Sequence, residues 1–213
     1  RVGAIGAETP GPVLAALTAP DADARRRAVA ALGGLPLDAA RPLLQQALRS
    51  SLVPADATAE ISVVEDVAEL TEKKMVVLTI SSYLFRLMVM FHFSPDMATR
   101  GHFARLTRVS AGEMDEQALM DGIAECGNLC CGIFNRELGR FFPHLGMSTP
   151  NVIDTQCVAY LQKLNCAHVR HFAIDMPDAP RLHVSLAVST YDRLDFAVAP
   201  GEEADITGEL ELF

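Results

Sequence analysis

A carboxylate and a carboxamide lie three positions apart in the segment Glu125-Cys126-Gly127-Asn128. The surrounding run, from about Asp115 to Leu138, has the apolar spacing of a helix. Residues three apart share one helix face, with Cβ atoms roughly 5–6 Å apart. The carboxylate can bind a cation, and the carboxamide can orient a water molecule through one donor and one acceptor. The pair is therefore a candidate chemical site on a rigid support.

The rest of this predicted helix should position the pair. Asp121 and Gly132 extend the same stripe by one turn in each direction. Each glycine lowers helix propensity by roughly 1 kcal/mol and so calls for a steric reason. For Gly127 the alternatives are close approach of a partner and helix–helix packing inside the domain. For Gly132 they are close approach to a neighbouring element and helix–helix packing, and here we favour helix–helix packing. The opposite face should point to the core through Leu119, Ile123, Cys126, Cys130, Ile133 and Phe134.

The segment Gly122–Gly132 resembles the Glu-x-x-Asn helix of the CheC/CheX/FliY group of bacterial chemotaxis phosphatases, and CheX most of all. Glu125 and Asn128 match the motif, a glycine follows four residues after the Asn, and Ser148-Thr149-Pro150 comes after the helix. The resemblance covers about Ala59 to Val198. Unlike CheC, the chain has one such motif, so one active helix per chain is expected.

The resemblance implies a phosphatase that removes the aspartyl phosphate of a CheY-like response regulator. Asn128 would orient the attacking water, and Glu125 would engage the lysine of the receiver domain. No cofactor of its own is implied, because a divalent metal such as Mg²⁺ belongs to the partner receiver. CheX is a homodimer, so a homodimer is also implied. The alternative is a non-catalytic receiver-binding or scaffolding module in two-component signalling.

Hydrophobic patterning predicts an α+β fold, with long helices on one face of an antiparallel sheet. Ser94 should cap a helix that starts with Pro95 and runs to about Leu106, and another helix should cover Val152 to about Leu164. Val, Ile, Leu and Phe are enriched in the predicted strands, which are 61–67, 74–81, 85–94, 168–176 and 182–190, with 206–212 as a further candidate.

Residues 1–55 differ in composition, being rich in Ala, Leu, Pro and Arg. Two short helices are expected here, one ending near Leu32 before Gly33-Gly34 and one from about Ala39 to Ser50. They form either a HEAT-type hairpin, which normally stacks with further copies, or a helical appendage packed on the main domain or on a second subunit; we favour the appendage. The predicted division is thus a helical segment 1–55 and a CheX-like domain 56–213.

Composition excludes several classes of function. The net charge of −9 argues against a nucleic-acid binder, whose footprint is usually basic. No run of 18 uninterrupted apolar residues occurs, so no membrane span is expected. Half of the residues are hydrophobic and 21% are charged, as in a soluble globular protein.

The five cysteines are odd in number, and three lie on the candidate helix: Cys126, Cys130 and Cys131. This pattern fits reduced thiols in the cytoplasm better than a disulfide framework. A metal- or thiol-based redox sensor built on these three is a third interpretation. His168 and His171 should point to opposite faces of a strand, which disfavours joint metal ligation. Ser148 and Ser185 have no recognisable nucleophile context.

Overall fold

The computed structural model describes residues 36–191 except residues 66, 111, 143 and 165. Runs of strands flank a run of helices, which is the pattern of an α+β domain. The helices are α1 (Pro36–Leu52), α2 (Met97–Thr107) and α3 (Glu116–Leu138), and the strands are β1 (Glu60–Val64), β2 (Lys74–Ser81), β3 (Phe85–Phe93), β4 (Gly146–Met147), β5 (Asn151–Asp154), β6 (His168–Asp175) and β7 (Leu182–Thr190). Two 3₁₀ segments, Val67–Glu69 and Thr155–Leu164, complete the described elements.

These seven strands form one sheet in the order β1-β6-β7-β3-β2, and both β4 and β5 pair with the free side of β2. Every pairing is antiparallel. Alternate residues of each strand face opposite sides of a sheet. In β2, Val76, Leu78 and Ile80 therefore share one face, and all three are buried in the main core.

The three helices cover this face, which confirms the predicted fold class. On α1, Leu44, Ala47 and Leu48 are fully buried in the core that α3 also lines. The helix α1 packs against α3 and also reaches β1, where the Gln45 carboxamide donates to the Ile61 carbonyl at 3.4 Å. Thus α1 lies toward the β1 edge, and α3 lies over β2 and β3.

Two local predictions are wrong. The helix expected from Val152 to Leu164 is instead the strand β5 followed by the 3₁₀ segment Thr155–Leu164, because β5 completes the edge by pairing with β2. The cap of α2 is Asp96 rather than Ser94: the Asp96 carboxylate accepts the Thr99 backbone N–H at 2.8 Å. A carboxylate at this position satisfies one of the helix's free N–H groups.

Several predictions concern residues outside the described range. The helix ending near Leu32, the hairpin it would form and the strand 206–212 are among them. The predicted helix Ala39–Ser50 corresponds to α1, which extends it by a few residues at both ends. In the described part of the chain no helix combines the length and apolarity needed to cross a bilayer.

Candidate functional site

The helix α3 carries the candidate pair as the sequence predicts. Asp115 caps it by accepting the Ala118 backbone N–H at 2.8 Å. The predicted core face is buried except for Ile133, which is half-buried and packs on the core. On the other side, Glu125 is exposed and Asn128 is half-buried. The helix thus presents both polar side chains at the protein surface.

Both side chains are free to meet a partner. Within the described part of the chain, neither the Glu125 carboxylate nor the Asn128 carboxamide forms a hydrogen bond or ion pair. Asp121, one turn earlier on the same stripe, instead accepts a hydrogen bond from the Gln117 carboxamide at 2.9 Å. An unpaired amide at a half-buried position keeps its N–H donors and its acceptor lone pairs available for water or a ligand.

The two glycines of the motif have different surroundings. A Cβ at Gly127 would lie 2.9 Å from Leu78 Cδ1 and 3.3 Å from the Phe91 ring, so this glycine lets α3 approach the sheet closely. Packing inside the domain is therefore the reason for Gly127. A Cβ at Gly132 would meet nothing within 4 Å, so the expected helix–helix packing at Gly132 is wrong.

The position of Gly127 fixes the direction in which Asn128 projects. Successive residues of an α-helix are rotated by about 100°. Since Gly127 faces the sheet, Cys130 lies about 60° to one side and Asn128 about 100° to the other. Cys130 meets Ser51 of α1. Asn128 is therefore on the flank away from α1, toward the β4–β5 edge, which α3 also contacts.

That edge contains a β-bulge at the level of the motif. Ile80 pairs with Met147, and Val77 pairs with Asn151. Three steps along β2 thus match four steps along the edge, so two residues, Thr149 and Pro150, oppose Leu78. Leu78 is also the side chain that contacts Gly127. Bulges are frequent next to active sites, and proline is tolerated there because it has no N–H to donate.

A second polar cluster, called here the histidine cluster, lies on the sheet face opposite the helices. The Ser185 hydroxyl is 2.7 Å from His92 Nε2 and 2.6 Å from His171 Nδ1, and His183 Nδ1 is 2.5 Å from the Glu72 carboxylate. Three atoms of the cluster are buried without a partner in the described part of the chain: Glu72 Oε2, His92 Nδ1 and His183 Nε2.

His92 and His171 are buried, which affects their protonation. Burial lowers the pKa of His92 to about 4 and also lowers the pKa of His171. For Glu72, burial raises the pKa, but the His183 hydrogen bond and nearby charges outweigh it, and the pKa is lowered. Sequence reasoning missed the cluster, because it joins residues from three strands and a loop that are far apart in the chain.

The thiols of α3 lie in the core. Burial raises the pKa of Cys126 to about 11 and of Cys130 to about 12. Thiolates are the reactive and metal-binding form, so these groups are inert thiols at neutral pH. Across the described residues, no group of three or more His, Cys, Asp or Glu side chains has the arrangement of a metal site.

Comparison with known proteins identifies the fold. No protein-family model and no curated protein sequence matches the chain. Among solved structures, the CheX of the CheX–CheY–BeF₃–Mg²⁺ complex from Borrelia burgdorferi is similar with a TM-score of 0.53 at 13% identity, over 71% of this chain and 96% of that one. A CheC-like chemotactic protein from Shewanella oneidensis has a TM-score of 0.50 at 12% identity, over 72% and 97%.

The described domain therefore has a CheX/CheC-like fold. This confirms the resemblance that the Glu-x-x-Asn segment carries, and with it the predicted architecture of an antiparallel sheet backed by long helices. The matched protein from Borrelia burgdorferi is in a complex with CheY.

Proposed function

We propose that this protein is a phosphatase for the aspartyl phosphate of a CheY-like response regulator. The observation that carries the proposal is the unpaired Asn128 carboxamide beside the unpaired Glu125 carboxylate, on the surface of a CheX-like domain. A homodimer in the cytoplasm, where thiols stay reduced, is part of the same proposal.

The chemistry needs little more than these two groups. Phosphoryl transfer from an acyl phosphate depends mainly on positioning and electrostatics. The receiver supplies the divalent metal and a lysine, which stabilise the charge of the transferring group. What a partner has to add is an oriented water. The Asn128 amide can accept from that water through its oxygen and donate through its nitrogen, as the water-positioning glutamine of small GTPases does.

Glu125 has the complementary role. Glu125 lies one turn before Asn128 on the same face of α3. Its carboxylate would pair with the receiver's lysine and fix the angle at which α3 docks. Because Gly127 and the capped N-terminus hold α3 firmly on the sheet, the two groups would approach the phosphoryl group at a set spacing. Positioning of this kind commonly accounts for several kcal/mol of a reaction barrier.

The test is the lifetime of phosphate on a panel of receiver domains from the source genome, each phosphorylated with a small-molecule donor. Wild-type protein should shorten the lifetime on at least one receiver, and the Asn128→Ala protein should not. Unchanged lifetimes on every receiver would refute the phosphatase. Binding without acceleration would support the alternative of a receiver-binding or scaffolding module.

A further inference from the structure

The candidate pair alone is too small to hold a protein partner. Specific interfaces bury about 800 Å² on each partner, and most of the affinity comes from a few central anchors in well-packed pockets. Two polar side chains on one helix supply neither. If the proposed function holds, on which this inference rests, the receiver must also cover the surface around Asn128.

Apolar side chains are exposed on both sides of Asn128. Leu129 is 51% exposed and follows Asn128 on α3. Met147 and Val152, on the edge strands, are 41% and 40% exposed. Met147 pairs with Ile80 and Val152 with Val76. Residues paired across antiparallel strands share a face, so both lie on the helix side of the sheet, the side that carries Asn128.

These residues also lie at neighbouring levels along β2. Gly127 contacts Leu78, so Asn128 lies near the level of Leu78 on β2. Met147 is at the next helix-facing level in one direction and Val152 in the other. The bulge of Thr149 and Pro150 lies between them. Asn128 is therefore flanked by Met147 and Val152 along the edge and by Leu129 on the helix.

The occupant that fits this surface best is the receiver rather than a second copy adding a strand. The bulge interrupts the backbone hydrogen-bonding row, and Pro150 has no N–H, which makes the edge a poor template for strand addition. The surface also ends on the free carboxylate of Glu125, with Asp121 beyond it. These charges suit a partner that brings a lysine next to the apolar residues.

We propose that Leu129, Met147 and Val152 form an apolar docking surface, continuous with Glu125 and Asn128, on which the receiver domain seats itself. These three residues set affinity for the receiver, whereas Asn128 sets the rate of hydrolysis.

The experiment measures binding and turnover separately in the full chain. Each receiver of the panel, loaded with beryllofluoride and Mg²⁺ as a mimic of the phosphorylated state, is titrated with wild-type protein and with the double variant Leu129→Ser, Met147→Ser. We expect the Kd of the bound receiver to rise at least about tenfold. The KM for the phosphorylated receiver should rise by the same factor, with kcat unchanged.

Two exposed residues elsewhere provide matched controls. Leu164 is 52% exposed at the end of the 3₁₀ segment, and Met97 is 81% exposed at the start of α2. The double variant Leu164→Ser, Met97→Ser should bind the receiver like wild type. Since all four residues are exposed, each double variant should keep the wild-type circular dichroism spectrum and melting temperature.

The outcomes separate the two proposals. An unchanged Kd and KM for the Leu129→Ser, Met147→Ser protein, with hydrolysis still accelerated by wild type, would overturn the docking surface and leave the phosphatase standing. Weakened binding without any acceleration by wild type would retain the surface and refute the phosphatase. Loss of self-association with unchanged receiver affinity, or binding of no receiver in the panel, would also overturn the surface.

Discussion

Polar side chains on the two faces of the sheet differ in their burial and in their hydrogen bonding. On the helix side, Glu125 and Asn128 stand at the surface with no partner in the described part of the chain. On the other side, Ser185, His92 and His171 are buried and bonded to one another. Polar groups left unpaired where solvent can reach them cost little and remain available for binding, whereas buried ones are costly unless they find a partner inside the protein.

The histidine cluster and the candidate pair differ in whether a substrate can reach them. The histidine cluster contains the residue types of a hydrolase, including a serine between two histidines. Yet Ser185 has no exposed surface and no substrate could reach it. The candidate pair is chemically plainer but accessible. Accessibility, rather than residue type, therefore favours α3 as the functional site and the histidine cluster as a determinant of stability.

Acidification should affect the histidine cluster most. A histidine whose pKa is lower in the folded than in the unfolded state binds protons more weakly when the protein is folded. Its contribution to the free energy of unfolding is therefore complete above the unfolded pKa and is lost as the pH falls below it. For His92, with an unfolded pKa near 6.5 and a folded value of about 4, the loss between pH 7 and pH 4 is on the order of 3 kcal/mol. The lowered pKa values of His171 and Glu72 act in the same direction.

Urea denaturation at several pH values checks this prediction. The free energy of unfolding should fall steadily from pH 7 toward pH 4, and His92→Gln should flatten that slope even if it lowers stability at pH 7. A stability that stays constant over the range would show that the buried histidines do not govern it.

Reversing the charge at Glu125 should have the next largest effect, on binding. In Glu125→Lys two like charges would meet at the proposed contact with the receiver's lysine. We expect the affinity for the beryllofluoride-loaded receiver to fall by about a hundredfold, as measured by calorimetry. Asp178→Lys makes the same change of charge in the exposed turn between β6 and β7 and should leave the affinity nearly unchanged. Equal losses of affinity in both variants would mean that Glu125 acts only through the net charge of the protein.

Removing the Ser185 hydroxyl should destabilise the fold without affecting activity. Ser185→Ala leaves two buried imidazole nitrogens without their partner, at a cost of about 2 kcal/mol in the free energy of unfolding. Ser189, whose hydroxyl makes only a 3.7 Å contact with Cys166 Sγ, provides the control: Ser189→Ala should cost less than about 0.5 kcal/mol. A loss of turnover in folded Ser185→Ala protein would contradict the assignment of function to the helix side and of stability to the histidine cluster.

The motif glycines should give the smallest effects, with opposite signs. In Gly127→Ala the new methyl group meets Leu78 and Phe91, and overpacking of about 1–3 kcal/mol exceeds the gain in helix propensity of about 1 kcal/mol. In Gly132→Ala there is no contact to offset that gain, so thermal unfolding should shift upward. Stabilisation by both substitutions would mean that α3 can lift from the sheet without cost.

Much of this architecture follows from local patterns in the sequence. The helical spacing around Glu125 predicts α3 and its buried face, and the β-branched runs predict β2, β3, β6 and β7 nearly residue by residue. Such patterns report burial directly, because one face of each element must be apolar.

The remaining features depend on long-range pairing, which local patterns do not encode. The run after Pro150 has apolar spacing compatible with a helix, but pairing with β2 makes its first part a strand. The bulge exists because β4 and β5 both pair with β2 in registers that differ by one residue. The placement of Asn128 beside that edge follows only from the contact of Gly127 with Leu78.

We expect Asn128 to position water for hydrolysis and to contribute little to binding. The most direct measurement compares Asn128→Ala with wild type on the same receiver, taking the Kd with beryllofluoride and Mg²⁺ and the hydrolysis rate at saturation. Gln156→Ala, an exposed carboxamide on the 3₁₀ segment, is the control. We predict an unchanged Kd and loss of the stimulated rate for Asn128→Ala only. A hydrolysis rate retained in Asn128→Ala, or an affinity that falls as much as the rate does, would contradict this role of Asn128.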